Sequence, residues 1–426
     1  MPVQDEVLGR RTISGSTARE AQGFRWVAPL LSSAFVLSWA IEPDLLGEAS
    51  SIVPSARWAI VVFMCLLVPF VSGRGVARGW SIAFLLFALA FTMILSGALD
   101  VSFPIFARIL GAGVLAMFAG TLPLSERLSI VRYILMASVA VVVGSLAMSL
   151  IAPERAFHLI GLQRERLYGL TSHPAIIGYF ASLVATVFGS AALFTRRSKG
   201  LRLRDGFIAA ISALVVYLAD SRTGEIAFPL ALCCEFVVMR LINSGLIRRS
   251  IMVPWLLFGG AVLMSTMVPI AVATDIIPVS VKDDQYAGST AGRIALWKLG
   301  LSDFESNMVV GNGLGTTFAT ADLNADKNLL FYYHSVVINY LAKSGIVGTV
   351  AIIALLLSSP YACLAGARRV SQQRPPSPDE LIIVRFVVAA CTVTVAFATI
   401  EAALQNLYPS FLIFFLSITL LSRARA

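Results

Sequence analysis

Long apolar runs, each about the length of a bilayer crossing, alternate along the chain with short segments rich in charge, glycine and proline. Predominantly apolar stretches near 20 residues are read as spanning helices. The pattern predicts spans at about 24–41, 57–73, 79–97, 103–122, 130–152, 174–195, 206–221, 223–241, 250–272, 334–358, 381–401 and 407–422. One polar hexad, Asp220-Ser221-Arg222-Thr223-Gly224-Glu225, interrupts what is otherwise a single apolar run. Such a hexad cannot stand unsupported in lipid, so it reads as a turn between two short helices or as a re-entrant feature. The expected fold is all-α, a polytopic integral membrane protein of about 12 transmembrane helices. Its expected parts are a tail over 1–23, helices one to nine over 24–272, an outer loop over 273–333, and three helices with a short tail over 334–426.

Composition sharpens this picture. Of 426 residues, 58% are hydrophobic and only 13% charged, where soluble domains carry roughly 25% charge. A soluble enzyme, a DNA-binding module and a secreted disulfide scaffold are thereby excluded. The five cysteines, Cys65, Cys233, Cys234, Cys363 and Cys391, all fall in apolar stretches without metal-site spacing and read as packing residues. The first 23 residues are polar, and the span after them is too long for the core of a signal peptide, so an uncleaved tail is expected.

The net charge of +9 becomes an orientation signal. If the chain starts in the cytoplasm, the even-numbered connections and both tails hold about 22 of the 33 Lys and Arg. They include Arg196-Arg197-Ser198-Lys199 and Leu201-Arg202-Leu203-Arg204, whereas the outer connections are net acidic. Both termini are therefore expected in the cytoplasm. The outer segment 273–333 is unusually long, and such loops commonly carry function. It predicts a helix from Ala291 to about Leu301 after a Ser289-Thr290 cap, with Ile294, Trp297 and Leu301 on one face. That face suits packing against other loops or an interfacial position equally well. A second outer loop, 153–173, is basic and aromatic.

All three histidines, His158, His173 and His334, map to the outer side. Imidazole is a ready general base for a hydroxyl; the plain reading of His334 is a helix-terminus residue. On the same side stand Arg222 in the hexad, Arg293 in the loop helix, and Arg164 and Arg166 in the second loop. Guanidinium forks match phosphate oxygens and never lose their charge, although Asp220 and Glu225 are also ready partners for Arg222. Gly311-Asn312-Gly313-Leu314-Gly315 resembles a nucleotide loop only in composition and reads as a turn needing positive φ. Asp283-Asp284 lacks a third carboxylate for a metal site. Arg108 and Lys343 lie within spans, where ionisable residues are functional candidates or interior anchors.

Three blocks carry a family resemblance. Leu218-Ala219-Asp220-Ser221-Arg222-Thr223-Gly224 is similar to a Ser-Arg-Thr/Gly-Gly block between two membrane helices. Gly292-Arg293-Ile294-Ala295-Leu296-Trp297, followed by Gly311 to Gly315, is similar to an Arg-x-x-x-Trp helix with a Gly-x-Gly segment. Tyr333-His334-Ser335, then Leu341 to Gly348, is similar to a His-Asn block with a trailing Gly-x-x-Gly. In this order they resemble the bacterial O-antigen ligase and Wzy-type polysaccharide polymerase superfamily. Ser335 departs from the usual Asn, which leaves that residue's orienting or sugar-binding part unassigned.

The resemblance implies a GT-C-like, metal-independent, inverting glycosyltransferase of the bacterial inner membrane with a periplasmic site and no cofactor. Its donor is an undecaprenyl-pyrophosphate-linked glycan, and its acceptor sugar sits on a lipid-linked repeat unit or on lipid A core. Membrane lipid and a chain-length regulator are the other implied partners; nucleic acid is not one. His334 is the implied general base, Arg222 and Arg293 are implied in catalysis and pyrophosphate binding, and Arg166 is a further pyrophosphate contact. A polymerase of exopolysaccharide or O-antigen is expected, with an O-antigen ligase as the alternative. A transporter or lipid-linked sugar flippase is the remote alternative, weakened because the polar clusters gather at the outer face.

Overall fold

The computed structural model describes residues 26–71, 73–160, 164–195, 198–279, 290–315, 333–372, 377–400 and 408–421. The expected tail at 1–23, Asp283-Asp284, and the loop stretches 280–289 and 316–332 lie outside the described residues. The longer helices are α1 (Val27–Ala40), α2 (Ile52–Cys65), α3 (Trp80–Leu95), α4 (Leu99–Ala119), α5 (Leu124–Ile151), α6 (Pro174–Phe194) and α7 (Lys199–Leu218). They continue with α8 (Arg222–Asn243), α9 (Met252–Ala273), α10 (Thr290–Ser306), α11 (Val336–Gln372), α12 (Pro378–Ile400) and α13 (Tyr408–Thr419). All but α10 overlie an expected span, and α10 is the expected loop helix, extended to Ser306. A short antiparallel hairpin, β1 (Phe157–Ile160) and β2 (Arg164–Leu167), departs from the all-α expectation.

Seven helices among the described residues are long and apolar enough to cross a membrane. They are Ile52–Phe70, Leu99–Ala119, Leu124–Ile151, Pro174–Phe194, Pro254–Ala273, Val336–Gln372 and Pro378–Thr399. Three more, Val27–Ala40, Trp80–Leu95 and Pro409–Thr419, are apolar but shorter. Helices α7 and α8 have the length, but Lys199, Arg202, Arg204 and Asp205 charge one and Arg222, Glu225, Glu235 and Arg240 the other. The chain is a helical, polytopic membrane protein. Helix α6 is buried almost all round and packs on α5, α7, α8 and α12, which makes it the centre of the bundle.

Buried polar groups hold the bundle where apolar packing alone gives little preference between helix and lipid. Arg385 on α12 pairs with Glu235 on α8 (Nε to Oε1, 3.3 Å), and both are buried. The Ser190 hydroxyl bonds to Glu235, and Arg385 donates to the Thr195 hydroxyl. Arg127, 2% exposed, donates to the carbonyls of Leu122 (2.7 Å), Leu420 (2.8 Å) and Gly120 (2.7 Å). Those carbonyls end helices and lack intrahelical partners, so one side chain ties α4, α5 and α13 together. Arg108 lies over Trp39 (4.5 Å) and Trp58 (5.4 Å), and Arg57 stacks on Trp39 (4.7 Å). Arg108 is thus a cation–π anchor between α4, α1 and α2. The five cysteines are free thiols; Cys363 and Cys391 are buried as expected, whereas Cys233 is exposed.

Helix α11 runs to Gln372, beyond the expected end near 358, and breaks at Gly345 (φ 60°, ψ −161°). Such a break frees two carbonyls and two amides, which in a membrane must find partners. The Gly311 segment supplies them. Asn312 N donates to Ala342 O (3.0 Å) and Gly313 N to Lys343 O (2.9 Å). Ile346 N donates to Met308 O (2.9 Å) and Val347 N to Val309 O (3.3 Å). Only glycine fits this approach: a Cβ on Gly311 would stand 2.3 Å from the Lys343 carbonyl carbon, and one on Gly345 2.3 Å from Val309 O. Gly311 and Gly313 have φ of 69° and 103°, so the segment is the positive-φ turn read from the sequence, clipped into the helix break.

Candidate functional site

The polar hexad is a turn between two long helices. Helix α7 ends at Leu218, and Asp220 follows in the left-handed region (φ 45°), where short polar side chains are tolerated best. Ser221 caps α8 by accepting from Gly224 N (3.2 Å), so Arg222 opens the helix with an exposed side chain. A guanidinium there stands beside the positive end of a helix dipole, and both favour an anion.

The second outer loop reaches the same turn. Hairpin register sets His158 opposite Arg166, and Arg166 Nε meets Asp220 Oδ2 at 3.1 Å. Asp220, a ready partner for Arg222 by sequence, therefore engages Arg166 across the fold. The His158 ring packs edge-on against Tyr168 (4.8 Å). His173 caps α6, its Nδ1 accepting from Ala175 N at 3.1 Å. His173 is thus a helix cap, and His158 is a packed ring.

His334 differs from both. It precedes α11 in the left-handed region (φ 46°) and is 8% exposed. A non-glycine residue held there is strained, and such positions concentrate at functional sites. Ser335 and Asn339, one turn apart, are each 1% exposed. Ser335 Oγ and Asn339 Oδ1 have no hydrogen-bond partner among the described residues. Buried polar atoms are normally satisfied, so a ligand or water can still bond to these two. Asn339 escaped the sequence reading; its spacing of four from Ser335 at the head of a predicted helix was the available signal.

Helix α10 carries Arg293, half-buried, and is held on α11 by several ties. Tyr333 donates to the Asp303 carboxylate. Burial and that neighbouring charge push the Tyr333 phenol above its ordinary range, so it remains a donor. Asn312 Nδ2 bonds to Asp303 O (2.8 Å). Trp297 and Leu301 pack against the cluster of Ala273, Tyr333, Ile338 and Ala342, which is the packing alternative for this helix face. Helix α11 also packs on α8, the helix that Arg222 opens. Arg166 and Asp220 touch directly; Arg222, Arg293 and His334 are related through the packing of α8 and α10 on α11. Of Arg164, the backbone alone is described, in β2.

The fold defines a class: a polytopic helical membrane protein. The family model described as O-antigen ligase matches residues 207–353, about a third of the chain. The resemblance to the O-antigen ligase and Wzy-type polymerase superfamily holds over this stretch, which contains Arg222, Arg293 and His334 and excludes Arg166. No curated protein matches the chain.

Proposed function

We propose that this protein is a membrane glycosyltransferase that moves a glycan from an undecaprenyl-pyrophosphate-linked donor to an acceptor sugar hydroxyl. The acceptor is lipid A core, as in an O-antigen ligase. The carrying observation is the family match over the stretch that joins the Asp220–Arg222 turn, α10 and His334. That match favours the ligase over the polymerase expected from resemblance alone, and transfer over transport. In this reading twelve helices cross the inner membrane, both termini are cytoplasmic, and the site opens to the periplasm.

The chemistry follows from the residue types. His334 accepts the proton of the acceptor hydroxyl as its oxygen attacks the anomeric carbon. The bond from that carbon to the pyrophosphate oxygen breaks, and the electron pair leaves with the pyrophosphate. One displacement inverts the anomeric centre. Arg222 and Arg293, with the amino end of α8, receive the departing charge without a metal. Arg166 stands next to this path and is released from Asp220 when phosphate competes for it. Ser335 and Asn339 offer hydrogen bonds to the acceptor sugar, the part that the family's Asn leaves open here.

The test is a reconstitution in proteoliposomes with lipid-linked donor, with and without lipid A core. Product on lipid A core alone supports the ligase; elongated lipid-linked chains in its absence identify a polymerase instead. No glycan transfer with either acceptor refutes both.

A further inference from the structure

Towards the other end of the bundle, beginning about 30 Å along α11 from His334 at 1.5 Å per residue, lies a lateral groove of about 770 Å³. It follows α11 from Ala354 to Gln372, and its walls include Trp80, Trp255, Leu357 and Tyr361. Trp255 meets Tyr361 edge to face at 6.4 Å and donates Nε1 to Leu357 O at 3.4 Å, which fixes one wall. Trp80 and Tyr361 keep more than half their surface exposed. The polar end carries Arg78 and Arg369, and among the described residues no acidic side chain lines the groove. Arg78 donates to Gly120 O (2.6 Å) and Arg369 to Leu421 O (3.2 Å). Gly120 abuts Thr419, so both guanidiniums sit at one mouth.

We infer that this groove is a binding site for an anionic phospholipid, with its phosphate between Arg78 and Arg369 and an acyl chain along Trp80, Leu357 and Tyr361. An apolar channel ending in two guanidiniums complements one chemistry, a long hydrocarbon joined to a phosphate. Aromatic residues at the membrane boundary hold the headgroup level. The site is separate from the proposed transfer chemistry and does not depend on it.

The test uses the full chain purified in detergent. Phosphatidylglycerol and phosphatidylcholine with identical acyl chains are the probes, and apparent affinity is read from thermal stabilisation. Each arginine contributes about fivefold toward an anionic lipid, so the protein should prefer phosphatidylglycerol by more than about tenfold. Arg78→Gln with Arg369→Gln should reduce that preference to within about twofold, while Arg240→Gln, on an exposed face elsewhere, preserves it. Ala365→Trp fills the groove, keeps both guanidiniums and should weaken both lipids; it carries the test if the double variant does not fold. Equal affinity for the two lipids overturns the inference, as does a preference that survives both changes. Tighter binding of a polyprenyl phosphate, or a dimer that Ala365→Trp dissociates, assigns the groove to another occupant and also overturns it.

Discussion

Two arginines at opposite ends of the bundle, Arg127 and Arg166, are used in opposite ways. At the end where α4 and α13 stop, Arg127 is 2% exposed and three of its nitrogens cap backbone carbonyls. At the end where α11 starts, Arg166 shares charge with Asp220, and both side chains keep a fifth or more of their surface. Arg222 beside them is exposed. A guanidinium enclosed by carbonyls is a structural fastener. One held by a carboxylate can exchange that partner for a substrate phosphate, an anion that a guanidinium matches equally well.

Substitutions at the two ends should separate activity from stability. His334→Ala is expected to lower transfer about 10²–10⁴-fold, far beyond any loss of folded protein, as measured by single-turnover transfer beside a thermal scan. Next comes Arg127→Leu, which removes three hydrogen bonds and leaves the Leu122 and Leu420 carbonyls without their donor while Arg78 still serves Gly120 O; it should cost at least about 2 kcal/mol in stability. Transfer per folded molecule should survive; a selective loss of activity would erase the contrast between the ends.

Smaller changes sharpen the contrast. Asn339→Ala removes one uncharged hydrogen-bonding group and should weaken acceptor use about tenfold. Its KM for acceptor should rise while donor affinity stays; the reverse pattern would move Asn339 to the donor side. Asp220→Asn should have the least effect, because Asn also tolerates the left-handed conformation. Stability should fall only modestly, because Asn keeps a polar partner for Arg166, and donor affinity should hold or rise as Arg166 loses its counter-charge. A fall in donor affinity would make Asp220 part of the phosphate site's support.

Much of the architecture was legible because hydrophobic runs are local. The helices, the turn at Asp220 and the positive-φ turn at Gly311 each follow from a few neighbouring residues. The hidden features all need distant partners. Glu235 becomes a buried pair only because Arg385 lies opposite it on α12. Arg127 becomes a fastener only because Leu420 ends a helix beside it. The glycines around 311 and 345 were read as separate motif pieces, yet each is required by the other's backbone. Of the candidate site, the residue types at the outer end were visible beforehand, but the joining of Arg166 to Asp220 and the open oxygens of Ser335 and Asn339 were not.

The central claim is a division of labour, with guanidiniums receiving the lipid pyrophosphate and His334 activating the acceptor. It is tested by equilibrium binding of a labelled lipid-pyrophosphate glycan to proteins carrying His334→Ala, which prevents turnover. His334→Ala alone should bind the donor within about twofold of wild type, while adding Arg222→Ala and Arg293→Ala should weaken binding at least about tenfold. Equal donor affinity with and without the two arginines, or its loss on removing His334 alone, would contradict the account.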